Sequence, residues 1–196
     1  MKKGIWLNLL VALPLVLLFG CTESGKVDQG RVIAFDKDKK LVTLIRDKKM
    51  DTLNPDYSYL PPQNYTLPAD PEETGPVPKV GARMKLDVEK NQIVIFDAKS
   101  QNFRAIDFKL VEKKTDIERD NALVKGKKFP QVDKAKKTVT IYSSRQKVLE
   151  TIQVADEYIG LPESTWDAGD EVRIYYKGEG KSLRFMNITQ TDIFKK

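Results

Sequence analysis

Two stretches of the chain match each other without a gap, and this match limits the fold more strongly than any other feature. Residues 36–45 read DKDKKLVTLI and residues 133–142 read DKAKKTVTIY, so six of ten positions are identical. Three looser matches follow in the same order along the chain, pairing residues 67–75 with 153–160, 81–86 with 169–174, and 103–108 with 183–188. Four matches in one order predict an internal duplication.

The matched stretches have the pattern of half-buried β-strands. Val139 and Ile141 alternate with threonines, and Val172, Ile174 and Tyr176 alternate with other residues in the same way. A period of two in β-branched and aromatic residues is typical of strands. The lysine-rich segment 36–40 and the glycine-containing segment 178–180 are predicted to form hairpin turns. Short strands at this spacing predict an all-β fold made of two tandem small β-barrels, OB-like or SH3-like, with about five strands each.

The matches also suggest where the chain divides. We expect a first β-barrel repeat at residues 31–114, with a proline- and tyrosine-rich loop at 54–80, and a second repeat at residues 125–196. Residues 115–124 lie between them. Thr115 and Glu118 have the spacing of a helix capping box, which predicts a short helix or an ordered linker there.

The N-terminus has the layout of a secretory signal peptide, with Lys2 and Lys3 ahead of an apolar stretch that is too short to span a membrane. The residues Leu18-Phe19-Gly20-Cys21 resemble the lipobox of bacterial lipoproteins. This resemblance implies that residues 1–20 are removed, that Cys21 is acylated, and that residues 21–30 form a tether. The alternative is a buried free cysteine in an apolar helix.

The resemblance implies a place in the bacterial cell envelope, anchored to the membrane through acylated Cys21. In Gram-negative bacteria, the residue after the cysteine influences sorting, and Thr22 favours the periplasmic face of the outer membrane. Residues 169–177 and 182–189, which read GDEVRIYYK and SLRFMNIT, resemble the ending of a poorly characterised group of envelope lipoproteins. That second resemblance supplies neither a catalytic residue nor a ligand.

The composition excludes several kinds of chemistry. The chain has no histidine and only one cysteine, which rules out a Ser-His-Asp triad, a His-ligated metal and an intramolecular disulfide. Carboxylates cluster in polar loops that offer no apolar surroundings to raise the pKa of a general acid, and lysines surround the acids that could be imagined as calcium ligands. The carboxylates considered for hydrolysis are Asp70, Glu72, Glu73, Asp167, Asp170 and Glu171, and those considered for calcium are Asp36 and Asp38. We therefore expect no enzymatic activity and no cofactor.

Aromatic residues in loops are candidate partner-binding residues. Tyr57, Tyr59 and Tyr65 lie in the 54–80 loop, and Trp166 lies in a second polar loop. Proline-rich segments are extended and pre-ordered, and exposed rings can stack on a sugar or anchor a protein. The alternatives are that the loop covers an edge of the first barrel and that Trp166 fills a barrel end.

Positive charge is concentrated in residues 121–147, which contain eight basic side chains and one acidic one. Such a band could contact an anionic surface, or it could keep a hairpin soluble and protect strand edges. We expect no nucleic-acid partner for a chain outside the cytoplasm. The candidate contact residues are Lys125, Lys127, Lys128, Lys134, Lys136 and Lys137.

Three functions remain compatible with these features. The leading hypothesis is a non-enzymatic, membrane-anchored envelope lipoprotein that binds or scaffolds another envelope protein. The alternative is that the β-barrels bind or sense a small ligand or a polysaccharide. A carboxylate-dependent hydrolase of cell-wall glycans is a third hypothesis and would need two acids facing each other across a cleft.

Overall fold

The computed structural model describes residues 24–51 and 54–191. The predicted signal peptide lies outside the described residues, and so do the first three residues of the predicted tether, which include Cys21. The described strands are β1 (Lys26–Asp36), β2 (Leu41–Arg46), β3 (Gln63–Thr66), β4 (Arg83–Asp87), β5 (Gln92–Asp97), β6 (Asn102–Asp107), β7 (Lys109–Lys114), β8 (Gln131–Asp133), β9 (Thr138–Ser143), β10 (Val148–Gln153), β11 (Glu171–Tyr176) and β12 (Ser182–Asn187). One short helix, α1 (Asp156–Ile159), and two 3-10 turns at Pro71–Glu73 and Glu163–Thr165 complete the described elements.

The strands form three antiparallel sheets, which we name by their size. The five-stranded sheet has the order β12-β11-β1-β2-β3, the four-stranded sheet β7-β10-β9-β8, and the three-stranded sheet β4-β5-β6. The all-β prediction is confirmed. Among the described residues no helix is both long and apolar enough to cross a membrane.

The two predicted small β-barrels are not observed, because no sheet in the described part of the chain closes on itself. The five-stranded sheet comes nearest to closure. A single isolated bridge joins Thr66, the last residue of β3, to Lys181, which directly precedes β12. This one bridge does not extend into a ladder between β3 and β12.

Strand pairing crosses the predicted boundary between the repeats, so the tandem arrangement is not confirmed. The hairpin β11–β12 pairs with β1 from the other end of the chain, and β7 pairs with β10. Gly81 and Gly169 begin the matched segments 81–86 and 169–174, and they lie against each other. A Cβ atom built on Gly81 would be only 2.4 Å from the backbone nitrogen of Gly169. The two matched halves therefore share sheets.

The matched lysine-rich segments do form equivalent hairpin turns. Residues 37–40 connect β1 to β2, and residues 134–137 connect β8 to β9. In both turns an aspartate accepts a backbone N–H bond, Asp36 from Lys39 and Asp133 from Lys136, and these bonds lower the pKa of each carboxyl. The turn predicted at 178–180 likewise connects β11 to β12. These turn predictions are confirmed.

Three apolar clusters form the core. The largest lies between the three- and four-stranded sheets, and fully buried Trp166 belongs to it. The second lies on one face of the five-stranded sheet, around Val172, Ile174 and Phe185, and a third includes Tyr57 and Phe96.

The segment between the two predicted repeats, residues 115–124, contains turns but no helix. Buried Ile117 and Val124 hold this segment in place. The segment is therefore ordered, and the short helix that is one of its two predicted forms is not observed.

Candidate functional site: a basic cleft between the sheets

A cleft of about 2040 Å³ lies where residues of all three sheets meet. Its lining includes Arg31 and Arg173 from the five-stranded sheet, Arg83 from the three-stranded sheet, and Tyr142 from the four-stranded sheet. Ten basic and five acidic side chains contribute to the lining. The cleft is therefore positively charged and has aromatic patches.

The strand β1 is buried on both faces, which explains how polar residues reach the floor of the cleft. Five consecutive residues of β1, from Asp28 to Val32, are buried. Val32 packs in an apolar cluster on one side of the sheet, while Arg31 lines the cleft on the other. At Gly30 a side chain would collide with the backbone oxygen of Ile45, 2.3 Å from the Cβ position.

Arg31 and Arg83 form the floor and are almost completely buried, with 8% and 7% of their surface exposed. Arg31 Nη1 donates to the backbone oxygens of Arg83 and Met84, each at 2.9 Å. Arg83 Nε donates to the oxygen of Trp166 at 2.8 Å. Within the described residues neither guanidinium forms an ion pair with a carboxylate.

Burial lowers the pKa of both arginines, and the attraction of nearby carboxylates opposes this shift only in part. Desolvation lowers the pKa of Arg31, and the nearby charge of Arg145 lowers it further. Desolvation also lowers the pKa of Arg83, to about 10, with the Arg31 charge as the second cause. Like-charged guanidinium groups thus lie close to one another in a poorly solvated site.

Tyr57 covers Arg31 from the 54–80 loop. The guanidinium carbon of Arg31 lies 4.3 Å from the centre of the Tyr57 ring, a distance at which a cation is attracted to the ring face. Burial raises the pKa of Tyr57. Tyr57 OH and Arg31 Nε are both buried and have no hydrogen-bond partner among the described residues.

Beside this floor, a second group of polar side chains is fully paired. The carboxylate of Glu171 accepts from Gln29 Nε2 at 2.6 Å and from Arg145 Nη2 at 2.8 Å. Arg173 Nη2 donates to Gln29 Oε1 at 2.8 Å. This group shows how the cleft holds a carboxylate, with one amide and one guanidinium donating to its two oxygens.

A buried acid lies behind the Arg83 floor. Glu150 on β10 is fully buried, and neither of its carboxylate oxygens has a hydrogen-bond partner in the described part of the chain. Desolvation raises the pKa of Glu150, while the charges of Lys113 and Arg83 oppose that shift. Glu150 therefore does not form a hydrogen-bonded ion pair with Arg83.

The structure separates the predicted aromatic set. Tyr57 lines the cleft. Tyr65 is buried, and its hydroxyl donates to Asp28 Oδ2 at 2.5 Å. Tyr59 lies under Arg46, whose guanidinium carbon is 3.9 Å from the ring centre. Trp166 is 0% exposed, so it fills the core and offers no ring to a partner.

The predicted lysine band is also divided. Lys127 and Lys128 line the cleft beside Phe129, while Lys125 is exposed outside it. The other three lysines lie in the β8–β9 turn. There Lys136 is 3.6 Å from Asp133, and Lys137 is 2.7 Å from Asp156. These turn residues fit the alternative interpretation, a soluble hairpin.

The acids that sequence analysis considered for hydrolysis lie in two places. Asp167, Asp170 and Glu171 line the cleft, where Asp167 pairs with Lys79 at 2.9 Å. Asp70 caps the 3-10 turn at Pro71–Glu73. Among the described residues no three acids or cysteines are arranged to hold a metal ion.

Five arginines line the cleft although none of them was predicted as a site residue: Arg31, Arg83, Arg119, Arg145 and Arg173. The polar residues Asp28, Gln29 and Arg31 precede the apolar residues of β1. Such side chains are ordinarily exposed, so the sequence does not indicate that they are buried. Nothing local indicates that Arg83 would lie beside Arg31, since the two residues belong to different sheets.

Residues 23–196 match the family model described as a domain of unknown function, DUF4881. The match covers most of the chain, and the chain belongs to this family. Neither the comparison with curated proteins nor the comparison with solved structures gave a match.

Proposed function

We propose that this chain is a non-enzymatic, lipid-anchored binding module of the bacterial cell envelope, and that the basic cleft is its binding surface for another envelope protein. The size of the cleft carries this proposal. Pockets for small molecules usually enclose about 300–1,000 Å³, and the cleft of about 2040 Å³ is larger. A cleft of this size and mixed polarity suits a segment of polypeptide.

The lining of the cleft supports a protein partner in a second way. Arginine and aromatic residues are enriched where proteins bind one another, and Tyr57, Phe103, Phe129 and Tyr142 join the arginines in the lining. Met186 adds an exposed apolar side chain. These are residue types that anchor a partner.

Site-specific photo-crosslinking in intact cells tests the proposal. A photoreactive residue at Met186, which lines the cleft and is 43% exposed, is compared with one at Leu183, which lies on the same strand, is 46% exposed and is outside the cleft lining. We expect one defined envelope protein to be crosslinked from Met186 and not from Leu183. Equal crosslinking from both positions, or none from Met186, contradicts the proposal.

The anchor belongs to the same proposal and has its own test. Acylation of Cys21 adds about 0.8 kcal/mol of membrane affinity for each buried CH₂, which is ample for stable attachment with several chains. A Cys21→Ala variant is expected to move from the membrane fraction to the soluble fraction. Unchanged membrane fractionation of Cys21→Ala contradicts lipid anchoring.

A second candidate function rests on one observation. The rings of Phe129 and Tyr142 lie 5.9 Å apart and both line the cleft. Aromatic rings can stack on sugars, so a polysaccharide is the alternative ligand. Its test is binding of cell-wall glycan fragments to the purified chain, with loss of binding in Phe129→Ala.

A further inference from the structure

We propose that the floor of the cleft, Arg31 and Arg83, forms together with neighbouring Arg145 a carboxylate-binding site that receives an acidic segment of the partner protein. This inference rests on the proposed function and names the chemistry of the partner. Its starting point is a charge imbalance: of these three guanidinium groups only Arg145 forms an ion pair within the described residues.

The imbalance is costly for the free protein. Taking a charged side chain out of water without a counter-charge carries a large desolvation penalty. Arg31 and Arg83 both bear this penalty, and the backbone oxygens that accept from them supply only partial charges. A bound carboxylate supplies the missing full charge.

Unsatisfied donors point to the same place. Arg31 Nε and Tyr57 OH have no partner in the described part of the chain, whereas buried polar groups in proteins are nearly always hydrogen-bonded. Arg31 is more than nine-tenths buried and lines the cleft. This donor has almost no exposed surface and lies near the Tyr57 ring, so an acceptor reaches it only when that ring moves aside.

The nearest acids do not fill the site. Asp167 and Glu150 attract Arg83 electrostatically, but Asp167 pairs with Lys79 and Glu150 forms no ion pair within the described residues. Glu171 is held by Gln29 and Arg145. The positive charge of Arg31 and Arg83 therefore remains for a group from outside the chain.

Carboxylates of a peptide fit this site better than a phosphate polymer. The acid already held beside the floor, Glu171, is bound by an amide and a guanidinium, so the cleft already holds one carboxylate in this way. The aromatic lining residues add apolar contacts that a peptide can use.

The test measures binding of a fluorescent oligoglutamate peptide to the full chain in detergent, with the oligoglutamine counterpart as the ligand control. We expect the oligoglutamate to bind, to weaken with added salt, and to bind tighter than oligoglutamine. Replacing Arg83 by Gln removes one charged hydrogen-bonding partner, so the affinity is expected to fall about tenfold or more.

Arg184→Gln is the matched control variant, because it makes the same charge change on an exposed residue outside the cleft lining, paired with Glu73 at 2.8 Å. Its affinity is expected to stay within about twofold of the wild-type value. Arg31→Lys keeps the charge but removes Nε, and we expect it to weaken binding as well. Circular dichroism and urea unfolding of each variant check that it is folded.

Three results overturn the inference. They are equal weakening of binding by Arg83→Gln and by the control Arg184→Gln, equal binding of oligoglutamine and oligoglutamate, and tighter binding of tripolyphosphate than of oligoglutamate. Failure of oligoglutamate to bind while the crosslink from Met186 persists overturns the carboxylate site alone. Loss of the Met186 crosslink while oligoglutamate still binds overturns the proposed protein partner instead.

Discussion

Arg83 and Glu171 lie at matched positions in the two halves of the chain, each two residues after a matched glycine, yet their surroundings differ. Both are buried and both line the cleft. Glu171 is paired through its two carboxylate oxygens with Gln29 and Arg145. Arg83 donates to a backbone oxygen and has no carboxylate partner in the described residues.

The difference shows that two segments that match in sequence can differ in charge balance. The lysine-rich turns, which have no part in the cleft floor, have the same geometry in both matched halves. The strands that begin after Gly81 and Gly169 differ in charge, so Glu171 on one side of the cleft is paired, whereas Arg83 on the other side has no ion pair in the described residues. Recognition is expected on the Arg83 side.

The largest expected effect comes from removing the core support of the Arg83 side. Trp166 is 0% exposed, and its backbone oxygen accepts from Arg83. Trp166→Ala leaves a cavity in the largest apolar cluster and is expected to cost about 3–5 kcal/mol of unfolding free energy. Urea denaturation followed by circular dichroism measures this loss, with Trp166→Phe as a milder control. A cost below about 1 kcal/mol contradicts the assigned core role.

The second prediction compares how much Glu171 and Arg83, the two residues at matched positions, contribute to the free energy of unfolding. Glu171→Gln leaves Arg145 without its carboxylate, and we expect a loss of about 2–4 kcal/mol. Arg83→Met removes a buried charge that is attracted by Asp167 and Glu150 but forms no ion pair with either, so its cost is expected to be no more than about 1 kcal/mol.

Urea unfolding of the two variants measures both values. The exposed pair of Glu73 and Arg184 provides the control, since Glu73→Gln should change stability by less than about 1 kcal/mol. A cost for Arg83→Met as large as that for Glu171→Gln would show that Arg83 is satisfied within the chain, and the proposed asymmetry would be lost.

The smallest effect concerns Glu150, the buried acid behind Arg83. The folded-state pKa of Glu150 is raised above its ordinary value of 4.5. Ionisation of Glu150 therefore lowers the stability of the folded protein when the pH is above that raised pKa. This loss of stability disappears as the pH falls below 4.5, where the carboxyl is protonated in both the folded and the unfolded state. Glu150→Gln should therefore favour the folded state more at neutral pH than near pH 4. Urea unfolding across this pH range checks the trend. A stability difference that grows as the pH falls contradicts it.

Local features of the fold could be predicted from the sequence because local physics determines them. The alternation at Val139 and Ile141 predicts β9, and both side chains are buried. The turns at 36–40 and 133–137 are recognisable because aspartate side chains bond to backbone N–H groups within three residues. Such signals need no knowledge of the rest of the chain.

Pairing between distant strands could not be predicted in this way. The register that places Arg31 opposite Glu171 on β1 and β11 depends on how the sheet faces pack in three dimensions. The sequence matches do not indicate that the β11–β12 hairpin pairs with a strand of the other half of the chain. The same limit explains Trp166. A tryptophan in a polar segment, PESTWDAGDE, has no periodic neighbours, so its burial follows only from the packing of two sheets around it.

The central claim is that spare positive charge on the Arg83 side of the cleft receives an acidic segment. Its most direct test is an NMR titration of the arginine Nε–H resonances of the ¹⁵N-labelled full chain with oligoglutamate. We predict that the Arg31 and Arg83 resonances shift and saturate together, while that of Arg184 stays in place. Shifts of equal size at Arg184, or unmoved Arg31 and Arg83 resonances while the peptide binds, would contradict the account.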